Sequence, residues 1–245
     1  GFEYHAEPMQ ILKGRIIALI AFTLYSVSSA LSPLLGGIAA ILLIFAIPPL
    51  ILLSLRFSRR NTSYKNIRFN FQGGWKEAYM SILVWPLLSL LTLGLLFPLA
   101  QVKLKRFIIN NSRYGTENFV FTGTYGDYGK LLLLYIAIYV AAILQLALSL
   151  TVGASFVGTT VFILLIYGGF FFIQPKYMNL MYRRTTLRAH SFESTYTGIG
   201  FVWVWFSNIL FIVFTLGLFL PFAKVRLTKY LTENVTLKVK GSLDD

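Results

Sequence analysis

Six apolar runs constrain this chain more than any other feature of its sequence. None contains Asp, Glu, Lys, Arg or His, and each is close to the ~20 helical residues that cross the hydrocarbon core of a bilayer. The runs are residues 16–32, 38–55, 78–100, 131–150, 155–174 and 201–223. Only 13% of the residues are charged, against about 25% in soluble domains. A soluble fold is therefore excluded, and continuous apolar runs also argue against a transmembrane β-barrel, whose strands alternate in polarity.

The runs fall into two kinds. Residues 16–32 and 38–55 are joined by a short uncharged segment around Pro33, and 131–150 and 155–174 are joined around Gly153. Such pairs predict two transmembrane helical hairpins. Residues 78–100 and 201–223 stand alone and are interrupted by glycine and proline, which predicts re-entrant or broken helical segments.

Internal repetition is visible between these segments. Residues 92–104 recur with conservative changes as residues 215–227, and the Arg59-Arg60 pair that follows the first hairpin corresponds to Arg183-Arg184 after the second. A duplicated unit indicates a repeat architecture. The predicted divisions are 1–60 (the end of a truncated repeat plus the first hairpin), 61–184 (a complete repeat with 78–100 and hairpin 131–174) and 185–245 (the last repeat with 201–223 and a basic tail). We expect a Thr-Leu-Gly-Leu-like segment upstream in the full-length protein.

Positive charge predicts the orientation. All 22 Lys and Arg residues lie outside the six runs, and short basic loops are retained on the cytoplasmic side of a membrane. Every basic residue is cytoplasmic if residues 78–100 and 201–223 enter and leave through one face. If each run crosses once, the basic loops 56–76 and 101–130 lie on opposite sides, an inverted arrangement that is known among transporters.

Short segments between the runs alternate apolar and polar residues. Residues 67–71, 119–121 and 235–240 follow this pattern, which predicts small cytoplasmic β-strands with Phe69, Phe71, Phe119 and Phe121 on a buried face. Residues 2–4 and 192–196 could add strands from the neighbouring copies. Irregular interfacial loops are the alternative. The predicted fold class is an α-helical polytopic membrane protein built from internal repeats, with two transmembrane hairpins, two re-entrant or broken segments and small cytoplasmic strands.

Residues that could carry chemistry are scarce. His5 and His190 are the only histidines, cysteine is absent, and none of the nine carboxylates lies in an apolar run. These features predict no metal site and no cofactor, and they weaken proton-coupled transport, which usually needs an acid or histidine within the membrane. No phosphate-binding loop or nucleophile elbow is present, so we expect no enzymatic activity.

The basic residues beside the runs are predicted to contact lipid headgroups, since anionic lipids attract each nearby Lys or Arg by about 1 kcal/mol. The predicted set is Arg59, Arg60, Lys103, Lys105, Arg106, Arg183, Arg184, Lys224, Arg226 and Lys229. Membrane phospholipids are the expected partners, a homo-oligomer is one expected assembly, and nucleic acid is not expected because no recognition module is present. A specific phospholipid or anionic-substrate site is the alternative use of these charges.

Polar residues within the runs either bridge helices or line a pathway. In many transporters, helices that are interrupted at matching positions of the repeats supply the backbone groups that bind the substrate or ion. The candidate pathway residues are therefore Thr92, Gly94, Pro98, Asn208, Thr215, Gly217 and Pro221.

Five short motifs resemble the YjgN family of bacterial inner-membrane proteins, a domain of unknown function. They are Asn61-Thr62, Phe69-Asn70-Phe71-Gln72-Gly73, Thr92-Leu93-Gly94, Pro98-Leu99-Ala100 and Phe119-Val120-Phe121-Thr122-Gly123. Thr185-Thr186 departs from the Asn-Thr pattern. The resemblance implies a multi-pass protein of the bacterial inner membrane and supplies no activity.

Two functions of different classes follow from these features. The first is a repeat-built channel or transporter for a small or amphipathic solute, which needs a continuous polar path through the protein. The alternative is a non-transporting membrane scaffold or lipid-organising envelope protein, which needs only a sealed interior.

Overall fold

The computed structural model describes residues 2–4 and 8–238, with side-chain environments from residue 16 onward, and helices and strands alternate along these residues. The strands are β1 (Phe2–Tyr4), β2 (Thr62–Tyr64), β3 (Ile67–Phe71), β4 (Ser112–Tyr114), β5 (Glu117–Phe121), β6 (Thr185–Leu187), β7 (His190–Ser194) and β8 (Val235–Lys238). The helices are α1 (Pro8–Leu31), α2 (Pro33–Arg60), α3 (Trp75–Tyr79), α4 (Trp85–Leu91), α5 (Phe97–Asn110), α6 (Tyr125–Thr151), α7 (Ser155–Arg183), α8 (Gly198–Phe214) and α9 (Leu220–Glu233), with a π-helical stretch (Met80–Val84) joining α3 to α4. The chain forms two compact units, residues 1–120 and 121–245.

Strands pair with their neighbours in chain order, always antiparallel. In the first unit β1 pairs with β2, β2 with β3, β3 with β4 and β4 with β5. In the second unit β6 pairs with β7 and β7 with β8. The tight turn between β2 and β3 has positive φ at both Lys65 (48°) and Asn66 (61°), the geometry whose twist suits two-residue hairpins.

Each helical segment between two strands connects strands that are neighbours in the sheet. Phe71 at the end of β3 pairs with Ser112 at the start of β4, and the residues between them form α3 to α5. Ser194 and Val235 bracket α8 and α9 in the same way, and Tyr4 and Thr62 bracket α1 and α2. For α6 and α7 the bracket is a hydrogen bond of 2.8 Å from the backbone amide of residue 122 to the carbonyl of residue 184.

The fold class predicted from the sequence, an α-helical polytopic protein with small cytoplasmic strands, is wrong. Strands recur from Phe2 to Lys238, and every helical excursion in the described chain is anchored on them. The strands predicted at 67–71 and 119–121 are present in β3 and β5. The three-residue strands β2, β4 and β6 carry too little alternation to be predicted from sequence, and the pairing of β3 with β4 or β7 with β8 joins residues about 40 apart. Residues 239–240 of the last predicted strand lie outside the described part of the chain.

The Asn-Thr motif is a stop signal between a helix and a strand. Asn61, Asn111 and Asn234 each follow the last residue of a helix, and each side-chain amide donates to the carbonyl four residues earlier, at 3.0, 2.9 and 2.8 Å. The next hydroxyl does the same for Thr62 (2.8 Å) and Ser112 (2.7 Å). Because the last carbonyls of a helix have no partner within it, these side chains satisfy them as the backbone turns into a strand.

The Phe-x-Gly motif occurs in both units, and in the first unit its phenylalanine lies in the core. Phe71 is 2% exposed and meets Phe107 edge-on, with ring centroids 5.6 Å apart. A Cβ atom on Gly73 would lie 2.5 Å from the Phe71 ring, and one on Gly123 would overlap the ring of Phe121. Glycine is therefore required two residues after each phenylalanine, where the ring folds back over the chain.

Helix lengths separate the two kinds of hairpin. Three described helices, α2, α6 and α7, are long and apolar enough to cross a membrane, and their 27 to 29 residues extend ~40–44 Å at 1.5 Å per residue. By contrast the 17 residues of α8 reach ~25 Å, and the 14 residues of α5 and of α9 reach ~21 Å. The bilayer core is about 30 Å thick, so the three long helices exceed it and the short ones fall below it.

Two adjacent glycines in α2 provide a test of this packing. A Cβ atom on Gly36 would lie 2.9 Å from the Cα of Ser29 in α1, whereas one on Gly37 would meet nothing within 4 Å. We expect Gly36→Ala to destabilise the protein by about 1–3 kcal/mol through overpacking, and Gly37→Ala to stabilise it by about 0.5–1 kcal/mol through helix propensity. Thermal unfolding of both purified variants in detergent measures the difference. Equal midpoints for the two variants would contradict the close approach of α1 and α2.

Candidate functional site

The two glycine-interrupted segments form tight turns between helices. Residues 92–96 join α4 to α5, and residues 215–219 join α8 to α9. Leu93 (φ 52°) and Gly94 (φ 87°) lie in the left-handed region in the first turn, as do Leu216 (50°) and Gly217 (93°) in the second. A leucine rarely adopts this conformation, and it persists only where surrounding interactions hold it.

Hydrogen bonds within each turn supply that restraint. The amides of residues 92 to 97 all donate inside the segment: Gly94 to the Ser89 carbonyl (2.7 Å), Phe97 to the Gly94 carbonyl (2.9 Å), and Leu96 to the Thr92 hydroxyl (3.2 Å). Residues 215 to 220 repeat this arrangement bond for bond, with Phe219 donating to the Thr215 hydroxyl at 3.0 Å. Each threonine hydroxyl also donates back to its own helix, at 2.9 and 2.6 Å. The turns therefore satisfy six consecutive backbone amides without water.

The outer surface of each turn is apolar. Leu93 is 96% exposed and Leu216 95%, and the next leucines along, Leu95 and Leu218, are also exposed. Exposed leucines on a backbone with satisfied amides are typical of a surface that meets lipid rather than water.

The structure places the candidate pathway residues in these two hairpins. Thr92, Gly94, Thr215 and Gly217 lie in the turns, Pro98 and Pro221 are the second residues of the returning helices, and Asn208 lies in α8. The turn amides are engaged internally, so these turns offer a solute fewer backbone donors than an unwound helix would. A role in a pathway stays a prediction.

A cation from each returning helix reaches back to the outgoing helix. In the second unit the Arg226 guanidinium donates to Asn208 Oδ1 (3.0 Å) and Ser207 Oγ (3.1 Å), and Asn208 Nδ2 donates to the Ala223 carbonyl (3.2 Å). Ser207 and Asn208 are each 8% exposed. In the first unit the Lys103 ammonium lies 5.5 Å from the centre of the Trp85 ring, a cation–π contact.

These two contacts occupy matching positions. Trp85 lies seven residues before the turn threonine (85 to 92), and Asn208 does so as well (208 to 215). The cations lie eleven residues after it (92 to 103, 215 to 226). Each short hairpin therefore holds one positive charge at the same distance from its apolar turn.

The remaining predicted headgroup residues lie at helix ends or on α5 and α9. Arg184 forms an ion pair with Asp127 at 2.9 Å, where Asp127 also completes the N-terminal capping box of α6 with Thr124. Lys229 forms an exposed pair with Glu233 at 3.7 Å. The others are Arg59, Arg60 and Arg183 in the last turns of α2 and α7, Lys105 and Arg106 on α5, and Lys224 on α9. Lipid contact stays a prediction for the set.

Sequence reasoning missed a polar clamp at the start of α8. Asn179 in α7 donates to the Tyr196 carbonyl (2.8 Å) and accepts from the Tyr196 amide (3.1 Å), while the Tyr196 hydroxyl donates to the Leu231 carbonyl (2.6 Å). Burial raises the pKa of Tyr196 above its usual value, as does the neighbouring Tyr182, so the phenol stays protonated and able to donate. An isolated Asn in a helix gives no sequence signal of this role.

Metal-binding clusters are absent from the part of the chain that the structure describes: no three His, Cys, Asp or Glu side chains lie together there. His190 is nearly buried in β7. His5 lies outside the described residues.

The threonine hydroxyls provide the test of the turns. We expect Thr92→Val and Thr215→Val each to lower the free energy of unfolding by about 1–3 kcal/mol. Each substitution leaves one partly buried backbone amide, that of Leu96 or Phe219, without its acceptor. Thr92→Ser and Thr215→Ser should retain most stability. Thr159→Val is the matched control, since the Thr159 hydroxyl only donates to the Ser155 carbonyl within α7. Hydrogen–deuterium exchange should quicken at Leu96 and Phe219 alone, and unchanged exchange there would contradict the proposed hydroxyl acceptor.

Comparison with known proteins places the chain in a family. It matches the family described as bacterial protein of unknown function, DUF898, over residues 1–245. YjgN belongs to this family, so the resemblance predicted from the motifs is confirmed. No curated protein and no solved structure matches the chain. The protein is a member of DUF898, a bacterial family of unknown function, and three of its helices are long and apolar enough to cross a membrane.

Proposed function

We propose that this protein organises lipid in the bacterial inner membrane without transporting a solute. Two long hairpins span the bilayer in this proposal, and the two short hairpins enter it from the cytoplasmic side and end within it. The observation that carries the proposal is the pair of apolar turns whose six consecutive amides are satisfied internally.

The turns are suited to lipid because an unsatisfied backbone group in hydrocarbon costs several kcal/mol. A re-entrant segment normally needs shielding by other protein for this reason. Here the hydroxyls of Thr92 and Thr215 act as the missing acceptors, and the exposed Leu93 and Leu216 are the surface that would contact acyl chains.

The depth of insertion follows from helix length and charge. The returning helices reach ~21 Å, less than the ~30 Å core. Lys103 and Arg226 lie eleven residues below the turn threonines, a distance that suits a headgroup contact by long side chains extending to the interface. The predicted headgroup set therefore belongs to this proposal, with membrane phospholipids as the partner.

The side of insertion is supported by the strand pairing. Phe71 pairs with Ser112, and Ser194 with Val235, so both ends of each short hairpin lie at one side of it. The basic residues concentrate at these ends and on the returning helices, which favours the cytoplasm by the positive-inside rule. The identical hydrogen bonding of the two turns supports the internal repeats that the sequence predicts.

Transport is the second candidate, favoured by one observation. Ser207, Asn208 and Arg226 place polar atoms within the α8–α9 hairpin, and polar groups at membrane depth often mark a pathway. These atoms are largely bonded to one another, which favours a structural role. The proposal includes no catalytic step, no cofactor and no nucleic acid; a homo-oligomer is compatible with it.

Cysteine labelling tests the membrane placement, and the cysteine-free chain makes single reporters straightforward. We expect Thr116→Cys and Ala189→Cys, in exposed turns between strands, to react with an impermeant thiol reagent only from the cytoplasmic side. Val152→Cys, in the exposed turn between α6 and α7, should react only from the periplasmic side. Leu93→Cys and Leu216→Cys should react from neither side until detergent is added. Periplasmic labelling of either leucine position would overturn the proposed insertion.

Reconstitution tests lipid organisation against transport. We expect the wild-type protein in vesicles to immobilise spin-labelled phospholipid and to leave the flux of ions and small neutral solutes at the level of empty vesicles. Replacing Leu93, Leu95, Leu216 and Leu218 together by Ser should reduce the immobilised fraction, because the turns lose their apolar contact with acyl chains. Exchanging the exposed Leu164 and Leu165 of α7 for Ala is the control for general lipid contact. Protein-dependent solute flux would favour transport instead.

A further inference from the structure

An apolar groove of about 510 Å³ lies between α7 and α8. Val202, Trp203 and Phe206 line it along one face of α8, and Gly168 and Phe172 line it on α7. Its volume falls in the range of small-molecule sites, roughly 300–1,000 Å³. Gly168 contributes no side chain to the groove, and a Cβ atom at this position would meet nothing within 4 Å.

One end of the groove lies at the N-terminus of α8. Thr197, the N-cap of α8, lines it beside Gly198. Lys176 does not itself line the groove, but it is exposed and its ammonium lies 4.5 Å from the centre of the ring of Phe172, which does. The first turn of α8 carries no acidic residue, so the positive end of the helix dipole and the lysine act together. None of the lining residues is acidic.

Hydrogen bonds fix this end in place. The carbonyl and amide of Tyr196, next to Thr197, are both held by Asn179 of α7, and a Cβ atom on Gly198 would lie 3.7 Å from the Cα of Phe172. The deeper end is formed by Gly168 and Phe206 and is open to the side. The groove therefore has a fixed end at the N-terminus of α8 and an apolar lining over the next ~10 Å of that helix.

We propose that this groove binds one anionic phospholipid, with its phosphate near Lys176 and Thr197 and an acyl chain along Trp203 and Phe206. A membrane lipid is the occupant because the charge at one end and the apolar lining at the other match a headgroup and its chain. The inference rests on the proposed membrane placement, and it adds Lys176 to the residues that contact lipid.

Native mass spectrometry of the full chain in detergent tests the site, with phosphatidylglycerol and phosphatidylcholine of identical acyl chains as probes. We expect the wild-type protein to retain one phosphatidylglycerol in preference to phosphatidylcholine. Lys176→Gln should reduce that preference about fivefold, the effect of one basic residue. Gly168→Leu should reduce retention of both lipids by filling the groove. Gly129→Leu, at a glycine of α6 where a Cβ atom also meets nothing, is the control and should behave as wild type.

Three results would overturn the proposal. They are equal retention by Gly168→Leu and Gly129→Leu, an unchanged lipid preference in Lys176→Gln, and a dimer that Gly168→Leu abolishes, which would assign the groove to a second copy of the chain. Thermal unfolding of each variant checks that it is folded. The labelling of Leu93→Cys and Leu216→Cys is independent of this groove, so a failed groove and a failed membrane placement give different results.

Discussion

Satisfaction of backbone hydrogen bonds at helix ends is the constraint on which the rest of this structure depends. Backbone amides and carbonyls that are surrounded by apolar groups cannot bond to water, so they need partners within the protein. The asparagines after α2, α5 and α9 satisfy the last carbonyls of those helices, and Thr92 and Thr215 satisfy amides in the turns. These isolated polar side chains are therefore the ones that allow the apolar helices to end and the chain to reverse direction.

Strand pairing brings the two ends of each helical segment together. Because antiparallel neighbours such as Phe71 and Ser112 are paired, a helical excursion between them has to reverse direction, whatever its length. The long hairpin α6–α7 and the short hairpins then differ in helix length, ~40 Å against ~21–25 Å. In the proposed membrane placement, length relative to the bilayer distinguishes a spanning hairpin from one that ends inside the membrane.

The candidate site was partly visible in the sequence. Repetition of Thr-Leu-Gly identified both turns and their residues, because a left-handed conformation favours glycine and a helix end favours a hydroxyl. The role of the hydroxyl as an acceptor for Leu96 and Phe219 was not visible, since it depends on the path of the backbone after the turn. The contacts of Lys176 with Phe172 and of Asn179 with Tyr196 join residues of different elements, and no spacing rule predicts them.

The sequence by itself determined which segments are apolar enough to be helices in a membrane, where they break, and that charge is kept outside them, because these properties depend on composition over a single stretch of chain. It did not determine that the strands, from Phe2 to Lys238, anchor every hairpin. Only the tertiary structure decided this, because strand pairing and the α7–α8 groove arise between residues far apart in sequence. Short strands become stable only when their partners are present, so their sequences alone carry little of the information that fixes them.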